Sequence, residues 1–392
     1  MSESRHESIG RALVESDREA WLMWRTESVV MATGYLPCWG LSFCLYPVKN
    51  SPILYIPALE PRDQLPSKGF VVREYPWGVL NSADPWGMLF SMIEKDLENL
   101  GISTEKVACL RDNSQTSPNT FSGESPAIDT RFLEKIFSTF NPGNEKTDTA
   151  LKKLFTIKKE NEIENIRLAN KVAGTGLQVF YEKARPGLSE AQLSGMVEAA
   201  IQEEMGKKGV FYSRAWAMVQ SGINTIDSGR FSRTTGRIME EGEPVLIELA
   251  TCVNGFWSDL TRVTATSELS PEKREIFTVV WEAQQLALKE VKPGKTTGDI
   301  DRAARDYIEA RGYGKYFTHA TGHHTGFRYH DHGPGIVPGG KEVLEPGMVI
   351  TIEPGIYCPA KKMGCRIEDN VLVTEKGHET LSDFPKGLTM NR

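Results

Sequence analysis

Residues 243–266 read EPVLIELATCVNGFWSDLTRVTAT, and this stretch decides the fold of the C-terminal part of the chain. Asn254-Gly255 stands between two apolar, β-prone runs, the strongest short signal for a two-residue hairpin turn. With those two residues as the turn, Asp259 falls opposite Ala250. Glu248 then shares that face with Asp259 on a diagonal, about 7–8 Å away at the backbone. The flanks VLIEL and FWSDL are too apolar for a solvated face, and buried carboxylates require a compensating cation or hydrogen bonds.

The pattern recurs downstream. Glu353 closes the apolar run MVITI, and Glu368 follows CRI in the next strand-like run. Residues 319–333, HATGHHTGFRYHDHG, hold His319, His323, His324, His330 and His332, five of the chain's 7 histidines. Four acids beside a histidine-rich segment make a ligand set of the type that two hard or borderline divalent cations use.

Helices surround these strands. From Lys158, Ile163, Ile166, Ala173, Leu177 and Phe180 follow three-and-four spacing, with Asn170 as a polar interruption and Pro186-Gly187 as the stop. Ser189 caps a second helix expected to reach Lys208, Ser270 caps a third with Pro271 in its first turn, and TGDIDRAARDYIEARGYG reads as a fourth. Tyr212 and Trp216 line a pocket or, as such rings more often do, fill a core. The expected fold here is α+β, with helices over a curved, largely antiparallel sheet.

Before this region the chain alternates a charged helix near 8–20 with apolar runs such as PILYIPAL and KVACLR, which favours an α/β layer domain. Residues 112–130 read as a long surface loop, and FNPGNEKTD as a break. The domains are therefore 1–155 and 156–392. Ser28–Val48 is the longest uncharged stretch, but its prolines, glycines and alternation indicate short buried strands rather than a membrane span. A net charge of −6 argues against nucleic acid or anionic membranes as partners. The polar N-terminus and six scattered cysteines indicate a cytoplasmic protein with reduced thiols.

GFWSDLTR, TGHHTGF, ITIEPGIY and RIEDNVLVTE occur in the order seen in the pita-bread metallopeptidase family of Xaa-Pro aminopeptidases, prolidases and creatinase, and the chain from about Lys158 onward resembles it. The N-terminal part resembles the creatinase/prolidase N-terminal domain. The resemblance implies two divalent metal ions (manganese, cobalt, iron or zinc) held by Glu248, Asp259, His323, Glu353 and Glu368, with Asp259 and Glu368 bridging. It implies a substrate or oxyanion contact for His330, a supporting role for His319, a small peptide substrate and a homodimer. Glu353 is then the proton shuttle, and Arg366 orients Glu368, neutralises the carboxylates or forms a plain salt bridge.

Two positions depart from the family pattern. Glu248 stands where aspartate is usual, which weakens one metal position, and the substrate-donor histidine expected near Gly229 is missing. His324 or His332 would compensate for it, and Arg230 or Arg233 would bind an acidic substrate group or, as surface-loop arginines more often do, stay solvated. The leading expectation is a metal-dependent hydrolase of the Xaa-Pro peptidase type. A creatinase-like C–N hydrolase or lyase acting on a small metabolite, and a non-catalytic binding relative, remain as alternatives.

Overall fold

The computed structural model describes residues 3–388 except 38–40, 64, 67, 80–83, 111–129, 141–144, 208 and 231. It divides into two compact units, Met1–Phe155 and Thr156–Arg392.

The first unit is an α/β layer. Helix α1 (Arg5–Glu15) begins earlier than the expected 8–20, because Ser4 and Glu7 form a capping box. It is followed by β1 (Ala20–Met23), α2 (Thr26–Thr33), β2 (Phe43–Pro47), β3 (Ile53–Pro57), β4 (Val71–Tyr75), α3 (Pro85–Leu100), β5 (Val107–Ala108), α4 (Thr130–Thr139) and α5 (Glu145–Thr156). The strands form one mixed sheet, β4-β3-β2-β1-β5. Phe43, Leu45 and Tyr55 on the sheet share a core with Phe90 and Ile93 of α3 and with Phe132 and Ile136 of α4.

Two local expectations change, and a third lies mostly outside the described residues. Ser28–Val48 is partly helical: α2 buries Val29, Val30 and Met31 and stops at left-handed Gly34 (φ 68°), so tertiary burial overrides the β preference of valine. The break at FNPGNEKTD is short, since Glu145 and Asp148 already lie in the first turn of α5, where carboxylates favour helix. The expected surface loop at 112–130 falls outside the described residues up to 129, and Thr130 opens α4.

The second unit begins with α6 (Glu160–Lys183) and α7 (Glu190–Gln202). Asn170 is buried in α6, its Nδ2 donating to Ile166 O at 2.9 Å. The Ser189 capping box starts α7 as expected. The helix ends at Gln202 rather than near Lys208, ahead of Gly206 and Gly209, both at positive φ. Next comes a three-stranded antiparallel sheet: β6 (Ser213–Ser221), β7 (Pro244–Val253) and β8 (Phe256–Ala265). Strand β6 was not expected from the sequence, because AWAM at its centre does not alternate cleanly.

Asn254 (φ 54°) and Gly255 (φ 90°) form the β7–β8 turn, with positive φ at both central residues as such hairpins require. Ala250 pairs with Asp259 and Glu248 with Thr261. The sheet's two faces then separate by parity. Ile247, Leu249 and Leu260 join α6 and α7 in one apolar core. Glu248, Ala250 and Asp259 face the other way.

Helices α8 (Pro271–Glu290) and α9 (Thr297–Ala310) precede β9 (Val349–Ile352), β10 (Gly355–Cys358), β11 (Met363–Arg366), β12 (Asp369–Val373) and β13 (His378–Thr380). Strands β13-β12-β9 form an antiparallel sheet, and β10-β11 form a hairpin. Asn370 ties β12 to β8 with its side-chain amide: Asp259 N donates to Oδ1 at 3.0 Å, and Nδ2 donates to Asp259 O at 2.7 Å. Together with the Glu368 N–H bond to Thr261 O at 3.1 Å, the amide brings Asp259 of β8 close to Glu368, the residue just before β12. Among the described residues no helix is long and apolar enough to cross a membrane.

Candidate metal centre

Hairpin β7–β8 supplies Glu248 and Asp259, the segment before β9 supplies His323 and His330, and the ends of β9 and β11 lead into Glu353 and Glu368. Ligand atoms of Glu248, Asp259 and Glu368, of His323, Glu353 and Glu368, and of Asp259, His323 and His330 each lie within 4.8 Å of one another. Glu248, Asp259 and Glu368 are buried. Four carboxylates therefore share a site with one neighbouring guanidinium, that of Arg366.

The hydrogen bonds divide the acids into two kinds. Glu248 is well partnered: Arg366 Nη2 and Tyr329 Oη donate to it, and Thr261 Oγ1 donates at 2.5 Å. Burial pushes its carboxyl up, but Arg366, Thr261 and Tyr329 more than reverse this and bring its pKa down to about 2. Asp259 has no hydrogen-bond partner on either oxygen, and Glu368 has none on Oε1. Burial, then the carboxylates of Glu248 and Glu353, hold Asp259 far above the usual carboxylate range, and burial with Asp259 and Glu353 does the same to Glu368. Thr261 Oγ1 also approaches Glu368 Oε2 at 2.8 Å, but its single proton cannot serve both acids at once.

The histidine tautomers follow from their acceptors. His323 Nδ1 lies 2.9 Å from His324 O, so Nδ1 carries the proton and Nε2 presents a lone pair. That lone pair points among Asp259 Oδ2 at 3.3 Å and Glu353 Oε1 at 3.4 Å. Three electron-rich atoms so close repel unless a cation lies among them. These unpaired buried oxygens and the exposed lone pair fit divalent metal ions, and oxygen and imidazole donors suit manganese, iron, cobalt and zinc alike.

The other histidines separate by environment. His330 stacks on Tyr329 (ring centroids 4.4 Å, 17°) and meets His323 edge-on at 4.2 Å. Desolvation and the neighbouring His323 lower its pKa to about 4, so the ring is neutral at pH 7. His319 donates from Nδ1 to Ala320 O at 2.7 Å and accepts at Nε2 from Tyr357 Oη at 2.9 Å. Tyr357 Oη in turn accepts from Arg366 Nη1 at 2.7 Å. His319 thus supports the guanidinium that holds Glu248.

Two expected substrate contacts differ in their surroundings. His324 is fully buried, its ring against Gly333, where an added Cβ would come within 2.4 Å of His324 Cδ2. Filled in this way, it has no face open to a substrate, which leaves half-buried His332 as the remaining histidine for that role. Arg230 is exposed and bonds within its own loop, to Asn224 Oδ1 at 3.3 Å and Asp227 Oδ2 at 3.4 Å. Trp216, expected in a core, is 38% exposed.

Tyr329, Thr261 and Tyr357 were missed from sequence. Thr261 was within reach, since the Asn254-Gly255 register sets it opposite Glu248. Tyr329 carried the weaker signal of adjacency to His330, and nothing local marks Tyr357.

The model of metallopeptidase family M24 matches residues 164–375. An uncharacterized peptidase of Staphylococcus epidermidis is 31% identical over 382 residues, 96% of this chain and 98% of that one. A Bacillus subtilis uncharacterized peptidase is 35% identical over 239 residues, 61% of this chain and 65% of its own length. The Xaa-Pro dipeptidase of Lactobacillus helveticus is 31% identical over 349 residues, covering 88% and 87%. Among solved structures, the Xaa-Pro dipeptidase from Bacillus anthracis superposes with a TM-score of 0.79 at 25% identity over 98% of both chains. The prolidase from Pyrococcus horikoshii gives 0.77 at 26%, covering 98% and 100%. With its antiparallel sheets, its cluster of acids and histidines and these likenesses, the chain belongs to metallopeptidase family M24 and has the pita-bread fold of a metal-dependent peptidase.

Proposed function

We propose that this peptidase acts on short peptides with proline after the scissile bond, as an Xaa-Pro dipeptidase or aminopeptidase. The observation that carries the reading is the set of unpaired buried atoms, Asp259 Oδ1 and Oδ2 and Glu368 Oε1, beside the lone pair of His323 Nε2. Glu248, Asp259, His323, Glu353 and Glu368 would hold two divalent metal ions, the one beside Glu248 more weakly. When bound, divalent ions lower the pKa of water and polarise a carbonyl.

The chain's own residues supply the remaining chemistry. Glu353, half-buried and 3.3 Å from Thr351 Oγ1, receives the proton of the attacking water and returns it to the leaving nitrogen. His330, neutral and fixed on Tyr329, donates to the oxyanion as charge develops. His319 and Tyr357 orient Arg366, and Arg366 keeps Glu248 ionised. A cytoplasmic setting agrees with the burial of the five described cysteines, and the homodimer rests on the family resemblance. The N-terminal unit is read as the creatinase/prolidase-type domain and the C-terminal unit as the catalytic one.

The test is elemental analysis of the purified protein, followed by assay of Xaa-Pro and other dipeptides after loading with manganese or cobalt. Hydrolysis of Xaa-Pro dipeptides is the expected result. Turnover of a compact amide or cyclic amidine, with no dipeptide cleaved, would replace this reading by the small-metabolite alternative.

A further inference from the structure

A line of rings leads from solvent to the acidic cluster. Trp216 lies 6.1 Å from Trp257, Trp257 lies 6.3 Å from Tyr329, and Tyr329 stacks on His330 at 4.4 Å. The sheet register explains the line. Trp216 pairs with Ala250, and Ala250 pairs with Asp259, so all three point from the same face in one cross-strand row. Trp257, two residues from Asp259, shares that face. Two strand spacings separate Trp216 from Asp259, about 9–10 Å at the backbone, and only the methyl group of Ala250 rises between them.

Trp216 is 38% exposed, so the outer end of this ring line presents an open indole face to whatever occupies the space beside the cluster. That backbone interval is of the size that a phenyl or isobutyl group would fill between a carbonyl held at Asp259 and the Trp216 ring. Charge selects among side chains of that size. Arg214 lies two residues before Trp216 on the same face, its Cζ 5.4 Å from the centre of the Tyr212 ring, and it disfavours a lysine or arginine side chain on the substrate.

We infer that Trp216, Trp257 and Tyr329 form a specificity wall that receives an uncharged aromatic or bulky aliphatic side chain on the Xaa residue of the substrate. The inference rests on the proposed peptidase activity for its kinetic form, but the wall itself makes a prediction about binding that does not.

The kinetic arm compares kcat/KM for Phe-Pro, Leu-Pro, Lys-Pro and Ala-Pro with the metal-loaded full chain. Phe-Pro and Leu-Pro should exceed Ala-Pro by roughly tenfold, with Lys-Pro below Leu-Pro. Trp216→Ala should bring the Phe-Pro to Ala-Pro ratio to within about threefold, and Trp216→Phe should keep most of it. The binding arm measures L-phenylalanine and L-alanine by calorimetry on the same proteins, with unfolding curves to confirm that each variant is folded. Cleavage with no aromatic preference would overturn the wall and leave the peptidase reading standing. Tighter binding of phenylalanine that is lost in Trp216→Ala, with no dipeptide cleaved, would keep the wall and remove the peptidase reading. Equal binding of both amino acids with no cleavage would remove both.

Discussion

Arg366 and Glu248 form a buried ion pair, Nη2 to Oε2, with each side chain 5% exposed. It links the last residue of β11 to the centre of β7, and Arg366 Nε also donates to Thr261 Oγ1 at 2.9 Å. Removing the cation strands Glu248 beside three other carboxylates. Breaking a buried pair from one side typically costs about 3–5 kcal/mol. Arg366→Met should lose stability of that order in denaturant unfolding of the metal-loaded protein. A loss under about 1 kcal/mol would mean that the pair is not structural.

Glu248 is one methylene longer than the aspartate usual at its position, and its oxygens are already engaged by Arg366, Tyr329 and Thr261. Each of those bonds competes with a cation for the same lone pairs. Glu248→Asp should withdraw the carboxylate from Tyr329 and raise metal stoichiometry, read by elemental analysis after dialysis against limiting manganese. Unchanged stoichiometry would show that side-chain length does not limit occupancy on this side.

Asp259 and His323 carry the opposite expectation. Their unpartnered atoms make them the residues on which a cation depends most. Asp259→Ala and His323→Ala should each lose most bound metal and at least about a hundredfold in kcat/KM, in line with removal of direct metal contacts. Full loading and turnover in both variants would place the active metal elsewhere.

The hairpin that carries two of the acids was legible because its determinants are local. Asn254-Gly255 sets the turn, the turn sets the register, and period-two alternation separates Glu248 from Leu249. The cap of α7 and the stop at Pro186-Gly187 were readable for the same reason. The partners were not. Tyr329 reaches Glu248 across 81 positions, Asn370 reaches Asp259 across 111, and Lys158 pairs with Asp331 across 173. Periodicity tells which face a side chain takes; it does not tell which distant segment covers that face. Helix α2 and strand β6 were missed through weak local pattern, where burial rather than propensity decides the state.

Metal removal should make stability depend on pH in a definite direction. In the metal-free protein Asp259 and Glu368 have folded-state pKa values raised above their ordinary 3.8 and 4.5. A group raised on folding contributes stability below its unfolded pKa and loses it as pH rises through the folded value. Glu248 is lowered to about 2 and acts in reverse, but only as pH falls from 4.5 toward 2. His319, His324 and His330 are lowered on folding and make stability rise with pH only up to their ordinary 6.5. Above about pH 7 they are neutral in both states and the raised pair dominates, so the melting temperature of chelated protein should fall as pH rises from about 7 to 8. Saturating manganese should flatten that slope by binding the ionised carboxylates. A chelated protein whose melting temperature is flat or rising over this range would contradict the assignment of Asp259 and Glu368 as the uncompensated acids.

Asn370 offers a test of how the fold holds the metal centre. Its amide satisfies both the N–H and the C=O of Asp259, at 3.0 and 2.7 Å, where no strand ladder does. Asn370→Ala leaves two buried backbone groups without partners, at about 1–3 kcal/mol each. The same loss removes one tie between β8 and β12, leaving the Arg262–Asp369 ion pair and the Glu368 N–H bond to Thr261 O, so the separation of the Asp259 and Glu368 carboxylates is held less firmly. Asn370→Ala should therefore lower stability by about 2–6 kcal/mol and also weaken manganese binding, although the side chain is not a ligand. Asn370→Asp keeps the acceptor for Asp259 N–H but loses the donor for Asp259 O and adds a charge beside the cluster, so it should bind metal no better than Asn370→Ala. Calorimetric titration of manganese into the three proteins decides the point: a destabilised Asn370→Ala that binds metal as tightly as the parent would show that the β8–β12 link serves stability alone.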